Sequence, residues 1–170
     1  VILIIMDNYI VVDDVITFSP KYNEPLSLKL LSQTQYRKII FSNYELDSVP
    51  PKVYKNEYFN FFSKYIGSKF NHSLANSLDN CSFLTHLTFG CEFNQHLGNS
   101  LNNCTSLTHI EFGGYFNQPL HNALDNCPLL THIVFGNKFN CPLDNALDNC
   151  TALTHIEFGF CFNQPLGNSL

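Results

Sequence analysis

Over its C-terminal half the chain repeats itself every 23 positions. Read from Leu78, the unit is L-x-N-C-x-x-L-T-H-[LI]-x-F-G-x-x-F-N-x-P-L-x-N-[SA], after which Leu recurs. Phe89, Phe112, Phe135 and Phe158 are 23 apart, as are Cys81, Cys104, Cys127 and Cys150. A fixed period of roughly 20–50 residues marks a solenoid. Each unit is too small to bury its own apolar face, so it must lean on its neighbours.

The period reaches back beyond the obvious units. Phe18-Ser-Pro-Lys-Tyr22-Asn-Glu-Pro-Leu26 matches Phe158-Gly-Phe-Cys-Phe162-Asn-Gln-Pro-Leu166 at each landmark, and Phe41 follows Phe18 by 23. The next equivalent, Ile66, follows Phe41 by 25, across a stretch containing Pro50-Pro51. Residues 42–65 therefore read as an irregular coil with a two-residue insertion. The predicted organisation is an N-terminal segment or cap over 1–17 and one solenoid of about six coils over 18–170, truncated at 170. Val1–Met6 is apolar but stops at Asp7 with no basic residue ahead, too short for a signal-peptide core. Either Met6 is the natural start or the chain is an excerpt, and the repeat is expected to run off at Leu170 with an uncapped apolar edge.

Within a unit, Leu107-x-x-Ile110-x-Phe112 has the L-x-x-L-x-L spacing of leucine-rich repeats. Strand alternation then sends Ile110 and Phe112 into the core, and His109 and Glu111 outward. The predicted fold is a right-handed leucine-rich-repeat-like superhelix. It has a parallel sheet on the concave face and short 3₁₀ or α turns, or coil, on the convex face. Asn, Gly and Pro at fixed offsets supply the turns.

Charge narrows the partners. Residues 71–170 carry seven acidic side chains and one basic one, whereas residues 1–70 carry seven acidic and eight basic. An acidic, lysine-poor repeat surface repels a phosphate backbone, so nucleic acid is not an expected partner. No run of 18 apolar residues occurs, so no membrane-spanning helix is expected. Seven cysteines without a secretory leader argue for reduced, buried thiols, and no C-x-x-C pair suggests zinc.

Stacking turns each fixed slot into a column at a pitch of about 4.8 Å. His86, His109, His132 and His155 form one such column on the outward face, open to a surface role, partner contact or, as a lesser alternative, metal. Asn23, Asn71, Asn94, Asn117, Asn140 and Asn163 form a second, read as a ladder of buried amides satisfying backbone at the corners. Asn80, Asn103 and Asn149 stand in N-C-[ST] sequons, read as by-products of the repeat. No G-x-S-x-G, H-E-x-x-H, P-loop or dinucleotide fingerprint is present, so no enzyme, cofactor or small-molecule substrate is expected.

The run F-G-x-x-F-N-Q-P-L-x-N-S-L closely resembles the FNIP repeat, a leucine-rich-repeat relative of social amoebae and giant DNA viruses. N-C-x-S-L-T-H-I-x-F is also similar to the BspA-like leucine-rich repeats. The resemblance implies a non-enzymatic protein–protein interaction scaffold in the cytoplasm, the host's if the source is viral. FNIP proteins often carry an F-box ahead of the repeats, which implies substrate recognition for a ubiquitin ligase if one lies outside this chain. The BspA-like alternative implies a secreted or surface adhesin. The expected partner-binding positions, on the concave face, are Thr85, His86, Thr88, His109, Glu111, His132, Val134, His155 and Glu157.

Cohesion in a one-dimensional stack is shared between neighbours, and truncating a buried Phe typically costs about 3–5 kcal/mol. Phe135→Ala is expected to unfold several coils together, lowering the midpoint of a thermal melt by many degrees. A shift below about one degree would contradict the shared core.

Overall fold

The computed structural model describes residues 3–6, 9–19, 21–26, 36–41, 68–79 and 81–166. These residues form one sheet of eight strands in chain order: β1 (Leu3–Met6), β2 (Tyr9–Val12), β3 (Val15–Phe18), β4 (Lys38–Phe41), β5 (His86–Thr88), β6 (His109–Glu111), β7 (His132–Val134) and β8 (His155–Glu157). β1, β2 and β3 are antiparallel neighbours, and Asp13 takes a left-handed φ of 54° in the two-residue turn between β2 and β3. From β3 onward every pairing is parallel. The result is a repeat solenoid of about five turns with no helix among the described residues.

The 23-residue period sets the register directly. Ile16, Ile39, Leu87, Ile110, Ile133 and Ile156 line up across the sheet and face inward. Ile110 and Phe112 are 1% and 2% exposed, while His109 is half-buried and Glu111 exposed, so the strands alternate as the sequence predicts. The first parallel strand begins at Val15, ahead of the expected boundary at Phe18. The reason is that each landmark Phe closes or directly follows its strand. β1 and β2 form a hairpin beside β3, and β1, after two antiparallel pairings, runs parallel to β3.

β4 lies directly beside β5, with Ile39 opposite Leu87, 48 positions further along the chain. Phe70 stacks on Phe41 at 4.1 Å, just as Phe93 stacks on Phe89 at 4.0 Å. Phe70 thus belongs to the coil that β4 begins, and no strand intervenes between β4 and β5. The irregular coil expected at 42–65 lies outside the described residues.

The core is a double file of phenyl rings. Phe89, Phe112, Phe135 and Phe158 follow one another at 5.4–5.6 Å, and Phe93, Phe116, Phe139 and Phe162 at 5.9–6.0 Å. Each ring also stacks on its partner within the coil at 3.9–4.1 Å. Leucines and the buried Cys81, Cys104, Cys127 and Cys150 fill the remainder. The wall opposite the sheet is a run of single turns closed by i→i+3 bonds, such as Ser100 N–H to Leu97 O and Cys104 N–H to Leu101 O.

Two columns lock one coil to the next. The Oδ1 atoms of Asn71, Asn94, Asn117 and Asn140 each accept the backbone N–H of the equivalent Asn one coil on, at 2.8–2.9 Å. These asparagines do satisfy backbone at the corners, but from exposed or half-buried positions, not the buried ones expected. At the second column, a Cβ built on Gly136 would lie 2.1 Å from Gly113 O, and one on Gly113 would lie 1.9 Å from Gly90 O. The turn needs no left-handed backbone there. The glycine is dictated by close approach of the coil before it.

Overpacking of this kind costs about 1–3 kcal/mol. Gly136→Ala is expected to lower the thermal midpoint by several degrees. Gly114→Ala, whose Cβ meets only Cys91 Sγ at 3.6 Å, should melt close to wild type. Equal midpoints for the two variants, read by circular dichroism, would remove the steric explanation.

Candidate functional site

Two side-chain columns occupy the outward face of the sheet. One runs Val15, Lys38, His86, His109, His132, His155, and the other Thr17, Ile40, Thr88, Glu111, Val134, Glu157. The exact 23-residue spacing brings four histidines to consecutive strands. His86 and His109 stack at 4.3 Å with planes 6° apart, and His109 and His132 at 4.3 Å and 9°. His155, on the end strand, tilts by 35° and sits 5.2 Å from His132.

The threonine preceding each histidine fixes the ring. Thr85, Thr108 and Thr131 each donate their hydroxyl to the main-chain carbonyl one coil back: Arg37 O at 3.0 Å, Thr85 O at 2.9 Å and Thr108 O at 3.0 Å. That bond uses the only hydroxyl proton. The same Oγ1 atoms lie 2.8 Å from Nδ1 of His86, His109 and His132, so each Nδ1 must be the donor. In the neutral ring the proton is therefore on Nδ1, and Nε2 carries a free lone pair. No buried side-chain nitrogen or oxygen among the described residues lacks a partner, so the Nε2 atoms are open to solvent. Three acceptors with a common orientation thus stand in a row on the sheet.

Of the nine residues singled out from sequence, eight lie on the strands facing outward: His86, Thr88, His109, Glu111, His132, Val134, His155 and Glu157. Thr85 precedes β5 and is half-buried, and its hydroxyl serves the histidine ladder, not the open face. Thr108, Thr131 and Thr154 repeat that role toward the carbonyl behind them and escaped notice. Their signal was the Thr-His dipeptide present in every unit. Lys38 was also missed, although it stands next to His86 at the head of the column.

Electrostatics favour the neutral form of His86 and His109. Burial pushes His86 down to about 4, with Lys38, His109 and His132 acting in the same direction. Burial likewise lowers His109, with His132 and Lys38 contributing. The reverse holds for the neighbouring carboxylate. Glu111 is exposed by area, yet protein surrounds it across the sheet, and that desolvation followed by the charge of Glu157 raises its carboxyl.

The geometry does not suit chelation. Two nitrogens bound to one metal at about 2.0–2.1 Å converge on it, whereas these rings stand parallel and 4.3 Å apart. Among the described residues no three His, Cys, Asp or Glu side chains gather where they could hold an ion. The four thiols of the core column are poor nucleophiles. The thiols of Cys81, Cys127 and Cys150 are raised by burial to about 11, about 12 and about 11, and Cys104 is raised likewise. None of the seven cysteines forms a disulfide.

Comparison with known proteins returns nothing similar: no family model, no curated protein and no solved structure matches the chain. No helix among the described residues is long and apolar enough to cross a membrane.

The lowered His86 carries a pH signature. Its folded value lies below the ordinary value of about 6.5, so protonation favours the unfolded chain. Its contribution is whole above about pH 6.5 and is withdrawn as pH falls toward about 4. The raised Glu111 acts in the opposite sense, relieving a penalty as it protonates. The wild-type thermal midpoint is expected to drop between pH 7 and pH 4.5, and to drop less in His86→Gln. Identical pH slopes would show that His86 is not the responsible group.

Proposed function

We propose that the protein is a non-enzymatic interaction scaffold that receives a protein partner on the outward face of its parallel sheet. The observation that carries this reading is the row of Nε2 acceptors on His86, His109 and His132, held in one tautomer by threonines bonded to the preceding coil. Such a row is fixed before any partner arrives, so little side-chain entropy is lost on binding. Beside it stand the carboxylates of Glu111 and Glu157. The chemistry favours a surface rich in hydrogen-bond donors, with basic or amide side chains, over an acidic one. The acidic balance of the repeats works against nucleic acid in the same way.

The reading places the chain among leucine-rich-repeat-like proteins of the FNIP kind, with the repeat supplying the surface and no group supplying catalysis. The test is affinity capture with the intact chain and with the double variant His109→Ala/His132→Ala. Both rings lie outside the core, so the variant is expected to fold, as circular dichroism can verify. It should lose the partner, whereas Asn103→Ala/Asn126→Ala, on the exposed opposite wall, should retain it. Undiminished capture by the histidine variant would place recognition elsewhere.

A further inference from the structure

Each of the three threonine-bound imidazoles can take a proton at one atom only. Nδ1 of His86, His109 and His132 already carries its hydrogen, committed to Oγ1 of Thr85, Thr108 and Thr131 at 2.8 Å. The lone pair that is left belongs to Nε2, the atom on the open face. A proton arriving there does more than add charge. It turns an acceptor into a donor at the point of contact. Had the hydrogen been on Nε2, acid would add its proton at Nδ1, against the threonine, and the open face would donate at any pH.

The groups around the row act on the same exchange. Lys38 on β4 heads the file, the rings of His86, His109 and His132 follow 4.3 Å apart, and His155 on β8 ends it. A charge on one ring therefore opposes a charge on the next. Glu111 on β6 and Glu157 on β8 stand in the neighbouring column, among Thr88 and Val134. Arg37, just ahead of β4, has its Nε 3.5 Å from Oδ2 of Asp14. Because the Glu111 carboxyl is raised by burial and by Glu157, it too gives up its negative charge early on acidification. Acid thus removes acceptors from both columns.

We propose that the outward face is a proton-gated contact, on which protons and a donor-bearing partner compete for the same Nε2 lone pairs. At neutral pH the face accepts. In acid each ring that protonates becomes a donor, Glu111 becomes neutral, and a basic or amide-rich partner is released. Repulsion within the file spreads the change over a broad pH range, and His86, held down to about 4, keeps its lone pair well into acid. The gate rests on the proposed function, since it takes the partner to be donor-rich and bound at this face.

The test is long-range proton–nitrogen correlation spectroscopy of the imidazoles in the intact chain between pH 7 and pH 4.5, with signals assigned by single His→Gln variants. At pH 7 His86, His109 and His132 are expected to show a protonated Nδ1 and a bare Nε2, and on acidification the large change should fall on Nε2. Thr108→Val frees the ring of His109 and should let its Nε2 carry the hydrogen at pH 7, with His86 and His132 unchanged. His109→Gln should raise the pH at which His86 titrates, which a row without electrostatic coupling would not show. The partner arm adds a nona-arginine peptide, whose guanidinium groups stay charged throughout this range. It should shift the Nε2 signals at pH 7, and bind at least tenfold more weakly at pH 4.5, where circular dichroism verifies the fold. A hydrogen on Nε2 of the neutral wild-type rings, or equal affinity at both pH values, overturns the gate. Nε2 atoms that titrate as stated yet ignore the peptide at pH 7 contradict the proposed function itself, and the gate falls with it.

Discussion

Everything in this molecule depends on how closely one coil can settle on the next. Gly90, Gly113, Gly136 and Gly159 each sit where a Cβ would fall within 2.3 Å of an atom in the preceding coil. That contact sets the height at which the phenyl rings meet face to face and the Asn Oδ1 atoms reach the next main-chain N–H. It also sets the height at which a threonine hydroxyl reaches the carbonyl behind it. None of these interactions is large alone. A side-chain hydrogen bond contributes on the order of 1 kcal/mol and an aromatic pair about as much. Their strength lies in being repeated at a common spacing, so that relaxing one coil loosens the bonds on both its sides.

The same spacing governs the chemistry of the outward face. Imidazoles held 4.3 Å apart cannot all carry charge, and Lys38 at the head of the file adds a fixed positive neighbour. His86 and His109 therefore present acceptors at neutral pH. Glu111 meets the complementary constraint, since Glu157 and its surroundings discourage its ionisation. Stacking thus tunes the surface as well as the core, and the repeat sets the donor and acceptor pattern of that face.

Much of this was legible in the sequence because a 23-residue period is also a strand register. Once Ile110 is assigned inward, Ile133 and Ile156 must follow, and so must the outward His109, His132 and His155. What the period could not disclose was where the chain departs from it. Ile66 lies 25 residues after Phe41 and invites a two-residue insertion, a stretch outside the described residues; around it, β4 pairs directly with β5 and Phe70 stacks on Phe41. The N-terminal hairpin was illegible for the same reason, since antiparallel strands there repeat nothing downstream. The asparagine column was recognised but assigned to the interior. Its amides need only reach the next main chain, which a corner on the surface allows.

Periodicity also explains why identical tripeptides take identical places in the sheet. A strand inside the stack has both its edges satisfied by copies of itself, so selection on the unit improves every interior junction at once. β6 carries the order His-Ile-Glu and is paired on both edges by neighbouring coils, and β8 carries the same order and pairs with β7 in the same register. On the side of β3 the pattern changes, because β2 runs antiparallel to β3, and β1, antiparallel in turn to β2, runs parallel to the stack again. Neither strand carries the repeat unit, so the pairing there is set by main-chain geometry and not by the 23-residue register.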